Sequence, residues 1–171
     1  MTDNHIAKEH FQNGMSEFVA SNFGESIDHL GRAIEADPDF YLARTSRGAA
    51  YLKTGRMKEA IEDFSRVIEH DRKNARAFHL RGLAHEKMGD EKAALNDFSE
   101  AIEIDPSYGA AYFSRATLLT QMGKEDQAVE DIQMVNHLTE VNIEQFANEN
   151  NVWRSNQMRL EEMGAADPMD R

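Results

Sequence analysis

Residues 81–98 read RGLAHEKMGDEKAALNDF, and a closely similar stretch, RGAAYLKTGRMKEAIEDF, stands 34 residues earlier at 47–64. A third copy, RATLLTQMGKEDQAVEDI, follows at 115–132, and a fainter one, NGMSEFVASNFGESIDHL, comes first at 13–30. Self-similarity at a fixed spacing of 34 residues indicates a chain built from one repeated structural unit.

The chain divides into four units without insertion or deletion when a 34-residue frame starts at Ala7. Three positions of the frame carry small residues, and position 24 carries larger ones. Small side chains on two successive helical stretches let the helices approach closely, so each unit is predicted to be a helical hairpin. The small residues are Gly14, Gly48, Gly82 and Ala116 at position 8, Ser26, Ala60, Ala94 and Ala128 at position 20, and Ala33, Val67, Ala101 and Val135 at position 27; position 24 holds Leu30, Phe64, Phe98 and Ile132.

Glycine and proline mark the turns between the predicted helices. Position 15 holds Gly55, Gly89 and Gly123, which suit the left-handed residue that ends a helix, and Ser21 stands there in unit 1. Pro38 and Pro106 close units 1 and 3. Units 2 and 4 have no proline at this position, so the periodicity is the only evidence for where they end.

The pattern of small residues at positions 8, 20 and 27, Gly at 15 and Pro at 32 resembles the tetratricopeptide repeat (TPR). The resemblance implies an all-α fold, a right-handed superhelical solenoid of four helix-turn-helix repeats whose first helices line a concave face. The predicted layout is a flexible N-terminus 1–6, repeats at 7–40, 41–74, 75–108 and 109–139, a C-terminal capping helix at 140–163 and a flexible tail at 164–171.

The capping helix is predicted because an open stack leaves its last unit with an apolar face toward water. Ile143, Phe146, Asn150, Trp153, Gln157 and Leu160 fall on one helical stripe, and no second-helix pattern follows. Trp153 is expected to pack against unit 4 rather than to stack on a ligand.

Position 7 holds an arginine in three units. A regular row of arginines is one arrangement that binds anions. The three residues are Arg47, Arg81 and Arg115. Position 23 carries an aspartate in the same three units, and unit 1 departs at both places, with Asn13 and His29. Because the two positions change together, each arginine is predicted to meet an aspartate between packed helices. A partly exposed pair of this kind contributes about 0.2 to 1 kcal/mol.

The amino-acid composition restricts the classes of partner that the protein is expected to bind. The 171 residues include 31 acidic and 19 basic ones, a formal charge of −12 that argues against nucleic acid. The sequence has no apolar stretch long enough to cross a bilayer, so no direct membrane insertion is expected. With no cysteine and no secretory signal pattern at the N-terminus, a cytoplasmic protein is expected.

The TPR resemblance implies a peptide-binding groove formed by first-helix positions 2, 5, 6, 9, 12 and 13. This face is rich in apolar groups at the unit 1 end and carries five basic side chains against one acidic one. The predicted partner is a protein or peptide with apolar anchors, with acidic residues as an option, and self-association stays open. The predicted groove residues are Lys8, Phe11, Gln12, Met15, Phe18, Leu42, Thr45, Ser46, Ala49, Leu52, Lys53, Arg76, His79, Leu80, Leu83, Lys87, Phe113, Ser114 and Thr117.

Other interpretations remain beside this adaptor or scaffold role. The apolar residues of unit 1 could instead form core with neighbouring units or be covered by the termini. A dedicated cytoplasmic chaperone for an exported or aggregation-prone client is the alternative function. The co-chaperones that hold the carboxylate of heat-shock chaperones use Lys, Asn, Asn, Lys and Arg where this chain has Phe11, Met15, Ser46, Arg76 and Leu80, so that activity is not expected.

An enzyme is not predicted. His79 and Glu86 share a helical face, but the spacing places no third metal ligand beside them. The sequence shows no glycine-rich phosphate loop and no nucleophile turn. We therefore expect neither a metal nor a cofactor.

Overall fold

The computed structural model describes residues 3–164, with side-chain surroundings for residues 5–145 and 148. This part of the chain contains eight α-helices and no strand. They are α1 (Asp3–Val19), α2 (Phe23–Ala36), α3 (Tyr41–Lys53), α4 (Met57–His70), α5 (Ala75–Lys87), α6 (Glu91–Ile104), α7 (Gly109–Gln121) and α8 (Glu125–Gly164).

The helices form four hairpins stacked in sequence, α1 with α2 through α7 with α8. Each second helix also packs on the first helix of the next unit. First helices of successive units contact one another as well, whereas in the described part of the chain second helices do not. The first helices therefore lie on the inner side of the curve, and the predicted all-α solenoid is confirmed.

The predicted turns have the backbone geometry that the glycines suggest. Gly55, Gly89 and Gly123 adopt φ values of 80°, 79° and 72°, and Ser21 in unit 1 adopts 65°. A positive φ costs glycine little because it has no Cβ, whereas Ser21 bears that strain. At two helix starts, Asn74 and Asp90 accept hydrogen bonds from the backbone N–H three residues on.

Close packing inside each hairpin comes from the small residues at position 8. A Cβ at Gly48 would lie 2.7 Å from the Phe64 ring, and one at Gly82 would lie 2.6 Å from the Phe98 ring. Both phenylalanines are fully buried, as predicted for position 24. Ile132 at the same position is 40% exposed, because no further helix packs on α8 within the described residues.

The end of the solenoid differs from the predicted layout. Instead of a repeat ending at 139 and a separate helix over 140–163, α8 continues without interruption from Glu125 to Gly164. The physical reason is that residues 124–163 contain neither Gly nor Pro. The predicted packing of the Trp153 side chain lies outside the described residues, as do residues 1–2 and 165–171; residues 3–6 belong to α1.

Candidate functional site: the concave groove

Eight of the predicted groove residues line one cavity on the inner side of units 1 to 3. The cavity has a volume of about 260 Å³ and is partly enclosed. Its apolar wall comes from α1 and α3, and a single cation from the start of α5 stands at its edge. We call this the groove cavity; it is lined by Phe11, Met15, Phe18, Leu42, Thr45, Ser46, Ala49 and Arg76.

The frame explains why the cavity lies here. Position 9 holds Met15, Ala49, Leu83 and Thr117 in the four units. The short Ala49 side chain stands between two long ones, so space is left in the groove beside α3. Thr45 and Ser46 add hydroxyl groups to the wall, and the Thr45 hydroxyl donates to the Tyr41 carbonyl over 2.9 Å.

The aromatic residues of unit 1 serve both the groove and the core. Phe11 contacts Phe40 with ring centroids 4.9 Å apart, and Phe18 contacts Phe23 edge-on at 5.3 Å. Phe11 also packs on a buried cluster between units 1 and 2, and Phe18 packs on one that spans units 1 to 3. Their other surfaces line the groove cavity, so the core interpretation of these residues holds for part of each side chain only.

Six further predicted residues lie on exposed surface outside the cavity. Leu42 inside it and Phe113 outside it are 54% and 58% exposed, which is high for large apolar side chains. The exposed group is Lys8, Gln12, Lys53, Lys87, Phe113 and Thr117.

The remaining five predicted residues belong to contacts between units. Leu80 and Leu52 pack against the buried cluster that contains Tyr51 and Phe64, and Leu83 packs against Phe98 and Leu118. His79 is buried, and Ser114 is bonded to it. A ligand in the groove would meet these residues less than predicted, because their side chains face neighbouring helices.

His79 in particular is not a free groove cation. Its Nε2 lies 2.9 Å from the Ser114 hydroxyl and its Nδ1 lies 3.1 Å from the Tyr108 hydroxyl. Burial lowers the pKa of His79 to about 4, so the imidazole is neutral at physiological pH. The cations among the predicted groove residues are therefore Lys8, Lys53, Arg76 and Lys87.

The arginine row is structural, as predicted. Arg47, Arg81 and Arg115 each donate from Nε and Nη2 to both carboxylate oxygens of Asp63, Asp97 and Asp131, over 2.7 to 2.9 Å. The hydrogen bond to Asp63 raises the pKa of Arg47. The carboxylates are buried, whereas the arginine side chains remain 21 to 24% exposed, so the pairs are partly exposed as expected from the sequence.

A third contact of the row was missed from sequence. Arg81 Nη1 donates to Ser65 Oγ over 3.2 Å, and Arg115 Nη1 donates to Ser99 Oγ over 3.0 Å. Both serines stand at position 25 of the preceding unit, so each arginine also ties two units together. The recurrence of serine at that position was the available signal; unit 1 has Gly31 there.

The fold is a helical-repeat solenoid with a cavity on its concave side. Two family models match the sequence, one described as TPR repeat over residues 48–89 and one as tetratricopeptide repeat over residues 75–108. The two matches together span residues 48–108 and confirm the predicted resemblance to the tetratricopeptide repeat. No curated protein matches the sequence.

Solved structures share the fold at low sequence identity. A crystal structure of MamA superposes with a TM-score of 0.76 at 21% identity, over 81% of each chain. MamA from Desulfovibrio magneticus has a TM-score of 0.74 at 18% identity, over 79% of this chain and 76% of that one. The first TPR domain of Spaghetti (RPAP3), solved with the HSP90 peptide SRMEEVD, has a TM-score of 0.67 at 21% identity, over 70% and 95%.

No helix in the described part of the chain is long and apolar enough to span a membrane.

Proposed function

We propose that this chain is a non-catalytic protein-interaction module that binds a peptide segment or short helix of another protein in its concave groove. The observation that carries the proposal is the groove cavity, because it combines an apolar wall, hydroxyl groups and one edge cation on the inner face of a TPR solenoid. A cytoplasmic location is part of the proposal, supported by the acidic, cysteine-free composition.

The lining of the cavity indicates what the ligand carries. Phe11, Met15 and Phe18 offer apolar and aromatic surface to one large apolar side chain, such as Leu, Met or Phe. Anchors of this kind contribute most when they fill a concave, desolvated site. One anchor residue per ligand is therefore proposed for this cavity.

Arg76 supplies the second recognition element. In the described part of the chain no carboxylate lies within 4.0 Å of its guanidinium, in contrast to Arg47, Arg81 and Arg115. A guanidinium presents several donors to a carboxylate in fixed geometry. We place an Asp, a Glu or a terminal carboxylate of the ligand next to Arg76.

The RPAP3 domain supports the use of this fold for peptides, since its structure holds the acidic peptide SRMEEVD. The proposed ligand of the present chain differs from such acidic peptides in the importance of its apolar residue. Phe11 and Met15, which line the groove cavity, stand where carboxylate-holding TPR co-chaperones have polar or basic groups, so apolar anchoring outweighs charge here.

Selection from a library of random short peptides displayed on phage tests the proposal with a defined probe. Immobilised wild-type chain is expected to enrich sequences that share a large apolar residue with Asp or Glu close by. Selection on an Arg76→Gln variant is expected to keep the apolar preference and lose the acidic one. No enrichment on the wild-type chain, or an identical consensus on both, would contradict the assigned site.

A further inference from the structure

The C-terminal helix differs from the other seven in ways that the groove does not explain. At 40 residues α8 is about 60 Å long, whereas the other helices have 13 to 17 residues. Within the described residues α8 contacts only α7. Its outer face bears Val129, Ile132 and Ile143, which are 53%, 40% and 63% exposed.

These exposed residues belong to a longer pattern in the sequence. Val129 and Ile143 fall in a series at seven-residue spacing with Asn136, and Ile132 falls in a second series that contains Phe146, Trp153 and Leu160. Two interleaved series of this kind lie along one stripe of a helix, and six of the ten residues in this stripe are apolar. The full series are Val129, Asn136, Ile143, Asn150 and Gln157, and Ile132, Thr139, Phe146, Trp153 and Leu160.

At the opposite end of the solenoid, the described residues of α1 include polar side chains at the positions that face the preceding unit elsewhere in the stack. Glu9 and Ser16 are exposed at positions 3 and 10, where unit 2 has the fully buried Ala43 and Ala50. The N-terminal end is therefore closed by polar residues and is unsuited to receive the apolar face of α8 from another copy. Head-to-tail stacking into a filament is therefore disfavoured. The remaining arrangement is a contact between the same face of two copies.

We propose that α8 is a dimerisation helix, and that the outer face of α8 from one copy packs antiparallel against the same face of a second copy. Inside the chain each second helix is covered by the following first helix, and the partner's α8 takes that place for the last unit. The contact is self-complementary about a two-fold axis.

Charge favours the antiparallel direction. Residues 125–145 contain six acidic residues and no Lys or Arg, whereas residues 146–164 contain three acidic residues and two arginines, Arg154 and Arg159, so the second half is much less negative than the first. A parallel pair would bring the two acidic halves together, whereas an antiparallel pair places each acidic half beside the half that carries the arginines. The pair uses a second helix, so the groove cavity of each copy stays open.

Sedimentation equilibrium of the full chain at tens of micromolar tests the proposal. The wild-type chain is expected to have twice the mass of one chain. A variant with Ile132→Glu and Ile143→Glu is expected to be monomeric, with a dissociation constant at least about a hundredfold higher. The matched control, Leu42→Glu with Phe113→Glu, adds the same charge at exposed apolar positions of first helices and should remain dimeric. Equal circular dichroism spectra would establish that all three chains fold.

A monomeric wild-type chain would overturn the proposal and would leave the face to a different protein. A dimer lost only in the control would move the interface to the groove face. Direction is tested with a cysteine near the end of α8, since the natural chain has none. Gln157→Cys is expected to form no disulfide between copies under oxidation; efficient cross-linking there would contradict antiparallel pairing.

Discussion

Arg81 donates two hydrogen bonds to the buried carboxylate of Asp97, from Nε to Oδ2 over 2.9 Å and from Nη2 to Oδ1 over 2.7 Å. The Asp97 side chain is 3% exposed and that of Arg81 is 21% exposed. The pair closes the α5–α6 hairpin from inside, and its third bond, to Ser65, reaches the preceding unit.

Removal of the arginine should therefore cost more than loss of a surface ion pair. Arg81→Ala leaves the Asp97 carboxylate buried without its partner and is expected to lower the free energy of unfolding by about 2 to 4 kcal/mol. Replacing both residues, Arg81→Met with Asp97→Leu, should cost less than Arg81→Ala alone. Urea unfolding followed by circular dichroism measures both; a loss below about 0.5 kcal/mol for Arg81→Ala would contradict a structural role.

The packing inside a hairpin can be tested by asking whether a smaller residue at position 24 offsets a larger residue at position 8. Gly82→Ala places a Cβ about 2.6 Å from the Phe98 ring and is expected to cost about 1 to 3 kcal/mol. Unit 4 already combines Ala116 with Ile132 at the same two positions. Adding Phe98→Ile to Gly82→Ala should therefore recover part of the loss in thermal unfolding. A double variant whose loss of stability equals the sum of the two single losses would show that these positions are not coupled.

His79 makes the stability of the solenoid depend on pH. Its pKa is about 4 in the folded chain and about 6.5 when unfolded, so the unfolded state binds the proton more readily. The contribution is fully present above about pH 6.5 and is lost as pH falls toward 4, by about 2 to 3 kcal/mol. His79→Gln should remove this part of the slope between pH 7 and 4, which urea titrations at each pH would measure. An unchanged slope would mean that His79 is not buried.

Arg76 should act on acidic ligands only. For a peptide enriched by the wild-type chain, Arg76→Gln is expected to weaken binding about tenfold. The same change should leave the affinity of a peptide whose acidic residue is replaced by Gln within about twofold. Fluorescence anisotropy with the two labelled peptides measures this difference. Equal loss for both would show that Arg76 contributes packing alone.

The hairpins and the arginine pairs could be predicted because the same signal recurs at one frame position. A single Gly89 is weak evidence for a turn, but three glycines in phase with Ser21 fix the period, and the paired change at Asn13 and His29 ties position 7 to position 23. The four repeats can be compared position by position within one chain, as homologous sequences are compared in other proteins.

The groove cavity was only half predictable. The frame position indicates which residues face inward, but side-chain volume decides where space remains, and the short Ala49 beside Met15 leaves that space. The sequence predicts His79 to be a groove cation because its frame position indicates the direction of the side chain but not its burial. Its partner Tyr108 stands just before α7, outside the helical pattern. The uninterrupted α8 was missed because a period predicts where a unit should end, whereas a helix ends only at a residue that stops it.

Affinity of one selected peptide for the wild-type chain and for Ala49→Met tests the groove most directly, by isothermal titration calorimetry. Met15 and Leu83 show that position 9 accepts a long side chain, so the variant should fold while its methionine fills the groove cavity. Thr117→Met is the matched control, at the same frame position on exposed surface outside the cavity. We expect at least about tenfold weaker binding to Ala49→Met and unchanged binding to Thr117→Met. Equal affinity for all three chains would contradict binding in the groove cavity.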